Sequence, residues 1–90
     1  TTRPAFYQQL TNISGVRPLP SAANFFLVQS DHPVPDLQTR LLKHHQILIR
    51  DCLSFPELGD RYFRVAIRTA KENQRLVEAL RQEVEFKLNT

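Results

Sequence analysis

Residues 61–80, RYFRVAIRTAKENQRLVEAL, change periodicity partway along, and that change limits the folds open to the chain. Over YFRVAIR the side chains alternate. Phe63, Val65 and Ile67 fall on one side, and Tyr62, Arg64, Ala66 and Arg68 on the other. A period of two describes a strand with one face on a core and the other toward something polar. Thr69 then opens TAKE, with Glu72 three residues on. That is a capping box: the hydroxyl accepts the N3 amide and the carboxylate reaches back to the cap amide. Beyond it Leu76, Val77, Leu80, Val84 and Leu88 form one helical stripe. A half-buried strand running directly into an amphipathic helix calls for a layered fold in which helix and sheet share one core.

The upstream sequence supplies the other layers. Phe6, Leu10 and Ile13 are spaced for one helix face, and Gly15 follows as a stop. Pro18 and Pro20 exclude a central strand at that point, whereas the apolar run Asn24–Gln29 has strand length. Asp36 opens DLQTRLLKHH, a helix with Leu37, Leu41, Leu42 and His45 on one face. Residues 47–50, ILIR, read as a short strand, and 51–60 as a loop long enough to suggest function. The order is helix, strand, helix, strand, strand, helix. Two strands adjoin without a helix between them, so at least one pair is antiparallel. The fold expected is an α+β two-layer sandwich, a small mixed or antiparallel sheet with helices on one face and the other face open.

Size and charge narrow the function. Ninety residues make one domain, which buries only about 60–65% of its unfolded surface. The net charge of +3 comes from dispersed residues and argues for neither nucleic acid nor an anionic membrane. Cys52 is the single cysteine, so no intramolecular disulfide forms. The sequence shows no apolar run of about 20 residues and no signal peptide, and the expected location is the cytoplasm. The absence of methionine leaves room for a longer parent protein.

Few residues are candidates for chemistry. His44 and His45 are adjacent on a helix, so their side chains diverge by about 100° and are poorly placed to share an ion; no metal site is expected. Cys52 has Arg50 nearby to lower its pKa, but no histidine partner is legible and an inert thiol is the simpler reading. Only two glycines are present, too few for a phosphate cradle of the P-loop type. An open face with Tyr62, Arg64 and Arg68 is similar to RNA-binding sheets, but the glycine-spaced aromatics of such sheets are missing. Arg50 and Arg64 remain, bracketing the 51–60 loop. Neighbouring strands could bring both to one sheet edge, where guanidinium groups suit bidentate capture of carboxylate or phosphate. The alternative is two solvated arginines in loose ion pairs with Asp51 or Asp60, and on spacing alone that is the commoner arrangement.

Residues 47–81, ILIRDCLSFPELGDRYFRVAIRTAKENQRLVEALR, resemble the C-terminal end of pyridoxal-phosphate enzymes of the aspartate-aminotransferase fold. The family pattern R-V/I-x-I/V, then a capped helix with EN-x-R-L, corresponds to Arg64-Val65-Ala66-Ile67 and to Glu72, Asn73, Arg75 and Leu76. PSAANFFLV at 20–28 resembles the family strand P-S-x-x-N-F-x-L-V, and the likeness runs through about residues 1 to 85. The branch is the one containing threonine-phosphate decarboxylase and histidinol-phosphate aminotransferase. RDC-x-x-F-P-x-L before the arginine strand looks more like the decarboxylase of cobalamin biosynthesis than the aminotransferase of histidine biosynthesis.

The resemblance implies that Arg64 pairs with a substrate α-carboxylate and Arg50 with the substrate phosphate of a phospho-amino acid or phospho-amino alcohol. It implies that residues 1–90 are the C-terminal, substrate-clamping domain of a longer enzyme. The cofactor, pyridoxal 5'-phosphate, would be held by a large domain absent from this chain, and the parent would be a homodimer. No catalytic or cofactor-binding residue is expected here. Lys43, Lys71 and Lys87 match no Schiff-base position, and Arg68 matches no family role, reading as a surface residue or salt-bridge partner. Such a domain would act as a lid over bound substrate and be inactive alone. The competing expectation is a free-standing α+β module that binds protein or nucleic acid through the same open face.

Overall fold

The computed structural model describes residues 2–21 and 23–85. Helix α1 spans Thr2–Thr11, strand β1 Val16–Leu19, β2 Phe25–Ser30, helix α2 Val34–His45, β3 Arg50–Asp51, β4 Tyr62–Ala66 and α3 Ala70–Glu85, with a single 3₁₀ turn at Pro56–Leu58. The strands form one sheet in the order β1-β2-β4-β3, and every neighbouring pair is antiparallel. This is the two-layer α+β sandwich that the periodicity calls for.

The alternation in the strands decides which face is covered. Phe26 and Val28 of β2 and Phe63 and Val65 of β4 are buried, and they join Phe6 and Leu10 of α1, Leu37 and Leu41 of α2, and Val77, Leu80 and Val84 of α3 in one core. All three helices therefore contribute to the core that covers one face of the sheet. The opposite face carries Arg17, Leu27, Gln29, Tyr62 and Arg64, none of them buried. Burial of each large core side chain is worth about 1.5 to 3 kcal/mol and is what holds the layers together.

Several local expectations need correction. A strand does form at Val16–Leu19, with Pro18 inside it opposite Val28. It lies at the sheet edge, where a residue without an N–H is tolerated, so the prolines exclude a central position but not a strand. Helix α2 starts at Val34 rather than Asp36, because Pro35 fits the first turn, where its missing N–H would have no intrahelical partner. Leu42 is half exposed and lies off the buried stripe of Val34, Leu37 and Leu41. The ILIR strand pairs only at Arg50 and Asp51; Ile49 instead enters the core and Leu48 faces solvent. The sequence expectation for Leu88 lies outside the described residues.

The capping box at α3 is present in a modified form. Thr69 Oγ1 accepts the Glu72 amide at 3.2 Å and donates to Glu72 Oε1 at 3.0 Å, so the carboxylate meets the cap hydroxyl. Asn73, in the first turn of α3, is buried and fixes the strand–helix corner. Its Oδ1 accepts the Arg68 amide at 3.0 Å and its Nδ2 donates to the Arg68 carbonyl at 3.2 Å. None of the helices among the described residues is long and apolar enough to cross a membrane.

Candidate functional site: an arginine cleft at the sheet edge

The register of β3 against β4 places Arg50 directly opposite Arg64. Opposed residues of an antiparallel pair lie about 4.5 to 5.5 Å apart at Cα and send their side chains to the same face. Two cations there repel each other, and like charges so placed destabilise a sheet. Among the described residues no carboxylate forms an ion pair with either arginine. Asp60 lies 3.5 Å from Arg61, and Asp51 Oδ1 accepts the Leu53 amide at 3.2 Å. Arg64 Nε is buried without a hydrogen-bond partner among the described residues, while its guanidinium carbon lies 5.8 Å from the centre of the Phe25 ring. A buried donor of this kind favours an acceptor from outside the chain.

Two adjoining clefts, of about 470 Å³ and 350 Å³, open beside these arginines. Both are lined by Arg50, Arg64, Ala66 and Arg68. The larger also takes in Gln46, Leu48, Asn73 and Arg75, the smaller Asn24 and Phe25. Arg75 is committed, donating to the His45 carbonyl. Among the described residues Arg50, Arg64 and Arg68 have neither an ion pair nor a side-chain hydrogen bond. The loop at 51–60 adds no lining residue to either cleft; only Arg50, which flanks it, does so.

Sequence reasoning passed over Phe25 and gave Asn73 no role beyond its place in the family pattern. NFFLVQ reads as uniformly apolar, yet its alternation turns Phe26 and Val28 inward and leaves Phe25 and Leu27 on the cleft side, with Leu27 opposite Arg64. Asn73 carries a readable signal, a polar residue on the buried side of a helix that otherwise presents Val77 and Leu80.

The remaining reactive groups are structural. Burial pushes the Cys52 thiol up, and the cation opposing that shift is Arg64, not Arg50 as its place in the sequence suggested. His44 and His45 do not act independently. His44 Nδ1 and His45 Nε2 reach the same Glu83 oxygen, at 3.0 and 2.9 Å. The 100° divergence of neighbouring helix residues is closed because one ring uses its near nitrogen and the other its far one. Burial alone would raise the Glu83 pKa, but the hydrogen bonds from His44 and His45 outweigh it and hold the carboxyl below its usual 4.5. A depressed carboxyl stabilises the fold fully above its unfolded value and loses that contribution as pH falls through its folded value. Unfolding by urea should therefore become easier by about 1 kcal/mol below pH ~4.5, and Glu83→Gln should flatten that dependence. An unchanged acid profile in Glu83→Gln would remove the α2–α3 clasp from the account.

Comparison with known proteins places this geometry in context. Residues 1–80 match the model for aminotransferase class I and II. The chain is 46% identical over 76 residues to threonine-phosphate decarboxylase of Salmonella typhimurium, covering 84% of this chain and 21% of that protein. Its fold matches the L-threonine-O-3-phosphate decarboxylase of Porphyromonas gingivalis with a TM-score of 0.86 at 29% identity, over 91% of this chain and 26% of that one. It likewise matches the histidinol-phosphate aminotransferase of Clostridium acetobutylicum with a TM-score of 0.88 at 31% identity, over 94% and 26%. The chain thus spans about a fifth to a quarter of the proteins it is similar to.

Proposed function

The chain belongs to the class I and II aminotransferase family, and on that premise we propose that it is the C-terminal, substrate-clamping domain of a pyridoxal-phosphate enzyme acting on a phosphorylated amino acid or amino alcohol. A threonine-phosphate decarboxylase is the reading best supported, through the 46% identity to such an enzyme. Histidinol-phosphate aminotransferase is the second reading, supported by the fold match to that enzyme. The parent enzyme is expected to be a cytoplasmic homodimer.

The observation that carries the proposal is the opposed, unneutralised Arg50–Arg64 pair. An enzyme whose substrate has an anion at each end has a use for two forked cations on neighbouring strands. In this reading Arg64 takes the α-carboxylate and Arg50 the phosphate, each in a charge-assisted, bidentate geometry. Each anion neutralises one guanidinium, so substrate binding relieves the repulsion that the bare sheet edge carries. The two contacts orient the amino acid between them and limit its rotation before any bond breaks.

Pyridoxal phosphate would supply the electron sink for reaction at the substrate's α-carbon. The described residues do not fit an anchor for it: Lys43 and Lys71 are exposed on helices and line neither cleft, and Lys87 lies outside the described residues. Cofactor chemistry is therefore assigned to the rest of the enzyme, and this chain's role is to bind, orient and enclose the substrate.

The test is to purify the product of the complete reading frame and look for the visible absorbance of bound pyridoxal phosphate. Threonine phosphate is then supplied, and separately histidinol phosphate with a keto-acid acceptor. Carbon dioxide from the first establishes the decarboxylase, and amine transfer from the second the aminotransferase. A protein that binds no pyridoxal phosphate and turns over neither compound would overturn the proposal.

A further inference from the structure

Arg68 is the cleft residue to which no role has been given. It lies beyond the end of β4, four residues from Arg64, and it lines both clefts together with Arg50 and Arg64. Its main chain is held at both polar atoms by the buried Asn73 amide, at 3.0 and 3.2 Å. Its side chain is exposed and has no ion pair or hydrogen bond among the described residues. Glu72 also lines the larger cleft, where its Oε1 accepts from the Thr69 hydroxyl, and it forms no ion pair with Arg68. Arg68 thus has a fixed root and an uncommitted guanidinium that borders the site. The fixed backbone tethers the guanidinium at the border of the cleft, where it is open to a ligand.

Charge counting gives the free guanidinium a role. A phosphomonoester carries about −1.5 to −2 near pH 7 and a carboxylate adds one more negative charge. The two anionic groups carry about −2.5 to −3 between them, and Arg50 and Arg64 bring two positive charges to those groups. We propose that Arg68 is a third anion-binding residue of this cleft, pairing with the phosphate alongside Arg50 and setting selectivity for phosphorylated over unphosphorylated amino acids. This rests on the proposed function above, since it takes a phosphorylated substrate as given.

The test uses the complete enzyme, with Arg68→Ala and Arg68→Lys compared against Arg50→Ala. The readouts are KM and kcat for threonine phosphate, the same constants for threonine, and competitive inhibition by inorganic phosphate. Arg68→Ala should raise KM for threonine phosphate and weaken phosphate inhibition by about tenfold, near the lower end for a charged hydrogen bond because the site is open to solvent. Its kcat should stay within about twofold and its handling of threonine should not change. Arg68→Lys should restore part of the loss, returning the charge without the fork. Unaltered phosphate inhibition in Arg68→Ala, with Arg50→Ala impaired, would overturn the role of Arg68 and leave the function intact. An equal loss on threonine and threonine phosphate would overturn it too, marking Arg68 as a partner for another part of the enzyme. A wild-type enzyme indifferent to the phosphate would instead count against the proposed function itself.

Discussion

Replacing Arg64 with alanine in the complete enzyme should lower kcat/KM by about a hundredfold or more while leaving the fold as stable as before. The magnitude follows from losing a bidentate, charge-assisted contact, each hydrogen bond of which contributes about 1.5 to 3 kcal/mol. Stability should barely move, because the side chain's internal interactions nearly cancel. The guanidinium has no hydrogen-bond partner among the described residues, stands opposite Arg50, and gains only a modest contact with the Phe25 ring. Removing it gives up about 0.5 to 1 kcal/mol of cation–π attraction and relieves a like-charge repulsion of similar size. Activity and stability should thus separate, the signature of a residue kept for binding. Arg64→Lys should recover only part of the activity, since an ammonium group offers charge without the planar fork. Steady-state kinetics beside a thermal unfolding curve will check this, and full turnover in Arg64→Ala would remove the carboxylate assignment.

The second large effect concerns folding. Gly15→Ala should destabilise the domain by about 3 kcal/mol. Gly15 has φ +101°, outside the range that L side chains adopt comfortably, and a Cβ built there would lie 2.3 Å from Val84 Cγ1. Val84 is buried in the core and its side chain is short and branched, so it has little freedom to withdraw. The same turn is pinned on both sides: the Gly15 carbonyl accepts the Asp31 amide at 2.9 Å, and the Ser14 amide donates to Glu85 Oε2 at 2.8 Å. The backbone therefore cannot swing away without breaking its ties to Asp31, just beyond β2, and to α3. In a domain this small, 3 kcal/mol corresponds to a fall in Tm of more than about 10 °C. Adding Val84→Ala should make the Gly15→Ala step cheaper, since the steric component disappears and only the backbone strain stays. Additive losses in that double-mutant cycle would mean that the close approach does not exist.

How legible this was in the sequence differs from feature to feature. The strand and helix of 62–85 were readable because each period is unbroken over its full length and a capping box marks the switch. The edge strand at Val16–Leu19 was hidden because proline speaks against a central strand, and only the partner strands decide whether a segment is central or at an edge. ILIR had the composition of a strand, yet a ladder needs a partner, and β4 pairs with it only at Arg50 and Asp51. The clasp of His44 and His45 on Glu83 could not be read at all, because the carboxylate is 38 residues away from His45 along the chain.

The candidate site divides along the same line. Alternation and residue chemistry are local properties, so the layered α+β class, the open polar face and the two arginines worth following were all legible along the chain. The sequence left open whether Arg50 and Arg64 were solvated ion-pair partners of Asp51 and Asp60 or an uncommitted pair, since that depends on register. Tertiary structure decided it. Pairing β3 with β4 sets the two guanidinium-bearing residues opposite each other, while Asp60 lies beside Arg61 and Asp51 turns to a loop amide. A one-residue slip in that pairing would send one of the two to the opposite face, because side chains alternate along a strand. Register is set by which apolar side chains fill the core on the far side of the sheet, and so the packing of Phe63 and Val65 against the helices determines where the charges of the cleft stand.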